Sequence, residues 1–394
     1  MRTIGTEVRG IRAPIIKEGD NLVDIVVSSL ISSKEEAGYQ FKDRDVVGIT
    51  ESIVARAQGN YISIDDIAQE IEDNYPKGQA LGIVFPILSR NRFSMILKGI
   101  AKSNRKLFLQ LSYPRDEVGN SLMDLKDMRE QNIDPYKDTL SEKEYLELFG
   151  DYKHPFTGIN YVKYYQNLVD DNQLEIILSN NPQTILEYTD QVLVADIHTR
   201  EKTKNTLKSK GAKKVLGLDD LCVEDKGKGY NPEYGLLGSN KASKTELKLF
   251  PRNGDKFVND VQKKLKEITG KNIEVMIYGD GAFKDPVGKI WELADPVVSP
   301  AYTSGLKGTP NEVKLKYLAD NELNDLEGEE LLNAMKNEIK NKDSDLVGKG
   351  RAQGTTPRQI TDLLGSLSDL VSGSGDKGTP IILIQGYFDN LSNE

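Results

Sequence analysis

Between residues 61 and 222 short apolar runs alternate with helix-type segments, and that alternation constrains the fold more than any other feature of the chain. Leu81–Val84 and Leu107–Leu111 read as strands around a helix pattern over residues 91–102. Residues 174–179 and 191–196 read as two more strands flanking a helical stretch, and 213–218 follows a third helix. Strands linked in this way are joined by crossovers, which makes them neighbours in a mainly parallel sheet covered by helices. A polar stretch, 113–139, interrupts the alternation and is followed by Ser141-Glu142-Lys143-Glu144, a capping-box sequence. Residues 61–222 are therefore expected to form an inserted parallel-sheet α/β lobe.

The flanking segments read as a mixed α+β core built from both ends of the chain, 1–60 and 230–394, with 223–232 as the linker because it is charged, glycine-rich and has little to bury. Asp45-Val46-Val47-Gly48-Ile49-Thr50 is a buried strand entering the polar turn Glu51-Ser52. Ile273-Glu274-Val275-Met276-Ile277 is a second strand, delivering Tyr278-Gly279-Asp280-Gly281 at its end. Leu22, Val23, Ile25, Val26, Leu30 and Ile31 recur at helical spacing, with Asp20 as the expected N-cap. A helix over 256–269, capped by Asp255 and ended by Gly270, and others over 312–318 and 326–339 are also expected. After a connector at 341–355, Pro357 suits the start of a helix reaching about residue 371, and Ile381-Ile382-Leu383-Ile384 reads as the last strand.

Charge and composition exclude several function classes. Sixty-one acidic residues against fifty-two basic ones leave a net charge of −9, so no whole-chain field favours nucleic acid or anionic lipid. Cys222 is the only cysteine, and with His154 and His198 the only histidines no Cys/His zinc cage can be assembled. The longest apolar run, 81–88, contains Pro86 and is too short to span a bilayer. A cytoplasmic protein with neither nucleic-acid nor membrane partners is the expectation.

Several loops carry the materials of phosphate and metal chemistry. Gly373, Gly375 and Gly378 spell G-x-G-x-x-G, but a helix precedes this loop and a strand follows it, the reverse of a dinucleotide fingerprint. Its exposed amides, with Lys377 as a cation and Asp376 as an oxygen ligand, suit either a phosphate loop or a plain connector. Asp280 between two glycines at a strand end can approach a metal without obstruction, or simply shape a turn. Asn240, within 238–243, offers an oxygen in a small-residue loop, and Arg56 and Lys17 are cations that a solvated surface would equally hold. In the lobe, Arg90 and Arg92 sit at a strand-to-helix junction, and Asp196 and His198 at a strand end where an α/β sheet places ligands or caps a helix. Cys222 stands in acidic surroundings that discourage a thiolate.

Taken in order, Pro14-Ile15-Ile16-Lys17-Glu18-Gly19-Asp20, the strand, turn and helix over 45–59, the loop 238–243, the segment 265–280 and the stretch 373–386 resemble the coenzyme F420-0:γ-glutamyl ligase family. The resemblance covers roughly residues 8–60 and 232–387 and leaves the central lobe as an insertion. It implies a ligase that joins L-glutamate to a carboxylate of a deazaflavin precursor, using GTP (or ATP) and Mg2+ or Mn2+, the expected partners being small molecules and a second copy in a homodimer. By motif position, Ala13, Pro14, Ile15, Glu51, Ser52 and Ser243 would contact nucleotide, and Arg56 stands where the family carries a lysine. Gly373, Ser374, Gly375, Asp376, Lys377 and Gly378 would form the phosphate loop. Asp280 would hold metal with Asn240 and Asp376, and Asp280, Arg56 and Lys377 would be the catalytic set. Asn240 and Ser374 replace acids of the family pattern, and a neutral amide or hydroxyl holds a hard cation less strongly than a carboxylate. Those two departures keep open a ligase with another acceptor, and a non-catalytic nucleotide-binding protein on the same fold.

Overall fold

Val46, Val47, Gly48 and Ile49 are buried on both faces, as an apolar run at the centre of a sheet requires. The computed structural model describes residues 3–155, 157–170, 172–279, 282–284, 291–293, 298–355, 358–372 and 376–393. Its first strands are β1 (Glu7–Ile11), β2 (Val46–Thr50), β3 (Tyr61–Ser63), β4 (Leu81–Val84) and β5 (Leu107–Leu111). There follow β6 (Leu140–Ser141), β7 (Leu174–Leu178), β8 (Gln191–Val194), β9 (Lys214–Gly217), β10 (Ser239–Lys241) and β11 (Glu246–Leu249). The last are β12 (Glu274–Gly279), β13 (Ala282–Lys284), β14 (Trp291–Leu293), β15 (Val298–Tyr302) and β16 (Ile381–Gln385). The protein is a mixed α/β chain, and it divides into two compact units.

The first unit comprises residues 1–54, 253–282 and 293–394. Its sheet has the order β1-β16-β2-β12-β15. β12 runs parallel to β2, while β16 runs antiparallel to both β2 and β1. The helix Leu22–Ala37 is capped by the side chain of Asn21 rather than Asp20, whose carboxylate instead accepts the Lys17 amide at 2.7 Å and closes the preceding turn. The helix Gly254–Thr269 begins two residues earlier than Asp255 suggested, after Asn253 in the left-handed region, and ends as expected at Gly270 with φ 68°. The helix Ile360–Ser372 packs Leu364 against Val46, Met276, Tyr278 and Ile382 of the sheet. Pro357 lies outside the described residues. The expected helix at 312–318 shrinks to Leu315–Tyr317 followed by a π-turn at Leu318–Glu322, because Leu318 is the one position of that segment drawn fully into the interior.

The second unit comprises residues 55–252 and 283–292. A six-stranded sheet, β6-β7-β5-β4-β8-β9, is parallel except for the two-residue edge strand β6. Its core is the large apolar cluster around Ile67, Ile83, Ile96, Leu109, Tyr165 and Ile176. A three-stranded antiparallel sheet, β10-β11-β3, also belongs to this unit. Residues 223–232 are tied down locally: Lys226 pairs with the buried Glu70 at 2.9 Å, the Tyr230 amide donates to the Asn60 side chain at 3.0 Å, and Asn231 is buried. His154 is buried beside Tyr161, and burial pushes its ring pKa down. Cys222 is buried and burial pushes its thiol far above the usual range, as expected for an inert cysteine.

Candidate functional site

In the first unit the strand directions bring four chain segments to one end of the sheet. β2 and β12 are parallel, so Thr50 and Gly279 finish side by side; β16 runs the other way, so its start meets them; β1, antiparallel to β16, ends there too. Hydrogen bonds tie these ends together. The Thr50 amide donates to the Pro380 carbonyl at 3.0 Å, and the Ala13 amide donates to the Gly378 carbonyl at 3.4 Å. The Thr379 hydroxyl donates to the Ser372 carbonyl at 2.9 Å, which closes the base of the loop between the last helix and β16.

Each element presents its residues for a local reason. β2 passes directly into the helix Glu51–Ala57, so Glu51 stands at the strand end, 3% exposed, while Ser52 faces solvent. Gly279 lies against Glu51: a Cβ built on Gly279 would come within 2.3 Å of Cγ of Glu51, so only glycine leaves room for the acidic side chain. Ile16 is buried and anchors the segment after β1, leaving Pro14 and Ile15 exposed, Ile15 at 82%. Asp376 and Lys377 form an exposed turn, and Gly378 follows with φ 65°, a conformation that favours glycine. Tyr278, one residue before Gly279, is 1% exposed, and burial pushes its hydroxyl up to about 12, partly offset by the Ser372 hydroxyl.

The structure thus gathers Ala13, Pro14, Ile15, Glu51, Ser52, Asp376, Lys377 and Gly378 at one sheet end, with Gly279 delivering the chain to Asp280. Asp280, Gly373, Ser374 and Gly375 lie outside the described residues. Arg56, Asn240 and Ser243 belong to the second unit. There Asn240 stands on β10 opposite Lys248 of β11, so the expected loop is in part a strand edge. Ser243 forms the hairpin turn, its hydroxyl donating to Glu246 at 3.1 Å. Sequence reading did not single out Thr50, Thr379 or Pro380, whose backbone links close the site; Pro380 just before an apolar strand was the available signal.

The oxygen donors at this sheet end, the Glu51 and Asp376 carboxylates and the Ser52 hydroxyl, are of the hard type that Mg2+ or Mn2+ takes. Among the described residues no three His, Cys, Asp or Glu side chains are grouped to hold a metal ion. The described donors therefore suit a divalent cation in kind but are too few to hold one by themselves.

A model of the F420-0:gamma-glutamyl ligase family matches residues 10–386. The chain belongs to this family. The match runs through the sheet end just described and through the whole second unit, and only residues 1–9 and 387–394, both of the first unit, lie outside it. A comparison with curated proteins finds no match. As a member of the family the protein is a ligase acting on small-molecule substrates. Among the described residues no helix is long and apolar enough to cross a membrane.

Proposed function

We propose that the protein is a nucleotide- and metal-dependent carboxylate–amine ligase that adds L-glutamate to a carboxylate acceptor through an acyl phosphate. The observation that carries this reading is the gathering of the Ala13–Ile15 segment, the Glu51-Ser52 turn and the Asp376–Gly378 turn at one sheet end, beside the strand that leads to Asp280. A carboxylate oxygen of the acceptor attacks the terminal phosphorus of GTP or ATP, and the nucleoside diphosphate leaves. The amine of glutamate then attacks the acyl carbonyl, phosphate leaves with the bonding electrons, and the amine gives up its proton as the amide forms. Charge gathers on phosphoryl oxygens in the first step and on the carbonyl oxygen in the second, so fixed cations and amides aimed at those oxygens supply the catalysis. Lys377 is the cation of this sheet end that would neutralise phosphate, and the amides around Gly378 would receive its oxygens. Asp280, Asp376 and Glu51 would hold Mg2+ or Mn2+, which when bound offsets phosphoryl charge. The Ser52 hydroxyl and the exposed Pro14-Ile15 edge would contact the nucleotide.

The reading is tested by following nucleotide turnover with Mg2+ or Mn2+, glutamate and deazaflavin acceptors in the wild type and in Asp280→Ala and Lys377→Ala. Turnover that needs all components and falls at least about a hundredfold in Asp280→Ala is expected, the scale of a lost charge-stabilising group. Equal turnover in wild type and Asp280→Ala removes the assignment. A non-catalytic nucleotide-binding protein is the second reading, motivated by Asn240 and Ser374 standing where the family pattern has acids; nucleotide binding by calorimetry with no amide product from any acceptor would favour it.

A further inference from the structure

The five parallel strands of the second unit stand in the order β7-β5-β4-β8-β9, which in chain order is third, second, first, fourth, fifth. The winding reverses between β4 and β8. The loops leaving those two carboxyl ends part at such a point, and the crevice between them is where open α/β sheets receive ligands. In this protein the loop after β5 lies across it and grips both banks with adjacent carboxylates. Asp116, 8% exposed, accepts the amide of Leu88, in the loop after β4, at 2.9 Å. It also accepts the Val118 and Asn120 amides at 3.1 and 2.8 Å and the Asn120 side chain at 2.8 Å, so it is pinned within its own loop. Glu117 accepts the amides of Ile197 and His198, in the turn after β8, at 2.6 and 3.1 Å, one on each carboxylate oxygen.

Backbone amides at a strand-to-helix turn are ready donors to anions. Here the chain supplies the anion itself. The two holds differ in kind: Asp116 is buried and has four donors, whereas Glu117 is an exposed residue held across the crevice by two amides alone. Asp196, 2% exposed, sits at the same strand end, but its carboxylate is engaged by the Thr199 and Thr203 hydroxyls at 2.5 and 2.9 Å and does not reach over the crevice loop in any of these bonds. We propose that residues 114–120 form a latch over the switch-point crevice, with Glu117 as the releasable catch: freeing its carboxylate lifts the loop from both banks and bares the Ile197 and His198 amides. Asp116 then lets go of Leu88 because it travels with the loop that carries it.

Hydrogen–deuterium exchange read at single amides tests this in the full chain and its Glu117→Ala variant. Exchange at Ile197 and His198 should rise, and exchange at Leu88, whose acceptor is untouched by the substitution, should rise with it by at least about tenfold. The β8 amides of Val192 and Leu193 should stay protected. A rise confined to Ile197 and His198, with Leu88 unchanged, overturns the latch and leaves two local hydrogen bonds. Should exchange in Glu117→Ala spread into β8, Glu117→Gln, which keeps the shape and drops the charge, is read by the same criterion. Exchange spreading through β8 in both variants also overturns the proposal, since Glu117 is then a support of the core.

Discussion

Replacing Gly279 by alanine places a methyl carbon 2.3 Å from Cγ of Glu51, whose side chain is buried. Gly279→Ala is therefore expected to lose about 1–3 kcal/mol in chemical denaturation, the usual cost of overpacking, and to lose ligase turnover with it. Tyr278 gives a pH signature. Its hydroxyl ionises near 12 in the folded chain, above its ordinary value, because burial disfavours the phenolate. The folded state then holds the proton more tightly than the unfolded one, so this group's contribution is intact below about pH 10 and is lost as the pH climbs towards 12. Tyr278→Phe should lose roughly 2–3 kcal/mol less than the wild type over that interval in denaturation series, and parallel pH profiles would contradict it. At this scale residue type and setting marked Asp376–Gly378, and Asp280 through its flanking glycines, whereas Glu51 and Ser52 were marked only by their position in the family pattern. It could not mark Asp116 and Glu117, because an acid that accepts amides from distant loops has the same local sequence as an acid on a solvated turn.

Helix Ile64–Asn74 opens with a reciprocal capping box: the Ser63 hydroxyl accepts the Asp66 amide at 3.1 Å, and the Asp66 carboxylate accepts the Ser63 amide at 3.0 Å. Ser63→Ala should cost about 0.5–2 kcal/mol by denaturant unfolding, and a change near zero would show that packing alone holds this helix start. Elements were readable where apolar spacing and punctuation agreed, as in Val46–Thr50, Leu81–Val84, Leu107–Leu111 and the helix ended by Gly270. The capping box at Ser141 and Glu144 is present as its spacing implied. Caps were less readable where two acceptors compete: Asn21 takes the cap of Leu22–Ala37 because Asp20 is drawn back to the Lys17 amide. The helix expected at 326–339 forms as Gly328–Lys340, whereas the one expected at 312–318 does not: charged residues repeat there at helical spacing whether or not the chain is helical, and the burial of Leu318 goes with a short turn of helix and a π-turn.

Across the whole molecule, each unit has an apolar core of its own, one around Met276, Tyr278, Leu364 and Ile382, the other around Ile67, Ile83, Leu109 and Tyr165. Leu364→Ala and Ile67→Ala each remove a fully buried side chain and should each cost about 2–5 kcal/mol. In calorimetry the two are expected to perturb different parts of the unfolding profile; identical displacement of one sharp transition would show that the units unfold as one. The parallel sheet of the second unit was legible because crossover connections leave a long alternating record in the chain. The strand order was not, since it is fixed by pairings between residues far apart in sequence. The proposed ligase reaction at the sheet end of the first unit is tested most directly by mass spectrometry of a reaction holding the protein, a deazaflavin carboxylate acceptor, L-glutamate, GTP and Mn2+. A product carrying one or more added glutamates, absent when Asp280→Ala replaces the wild type, is the predicted result. No glutamylated product from the wild type, or the same yield from the variant, would contradict it.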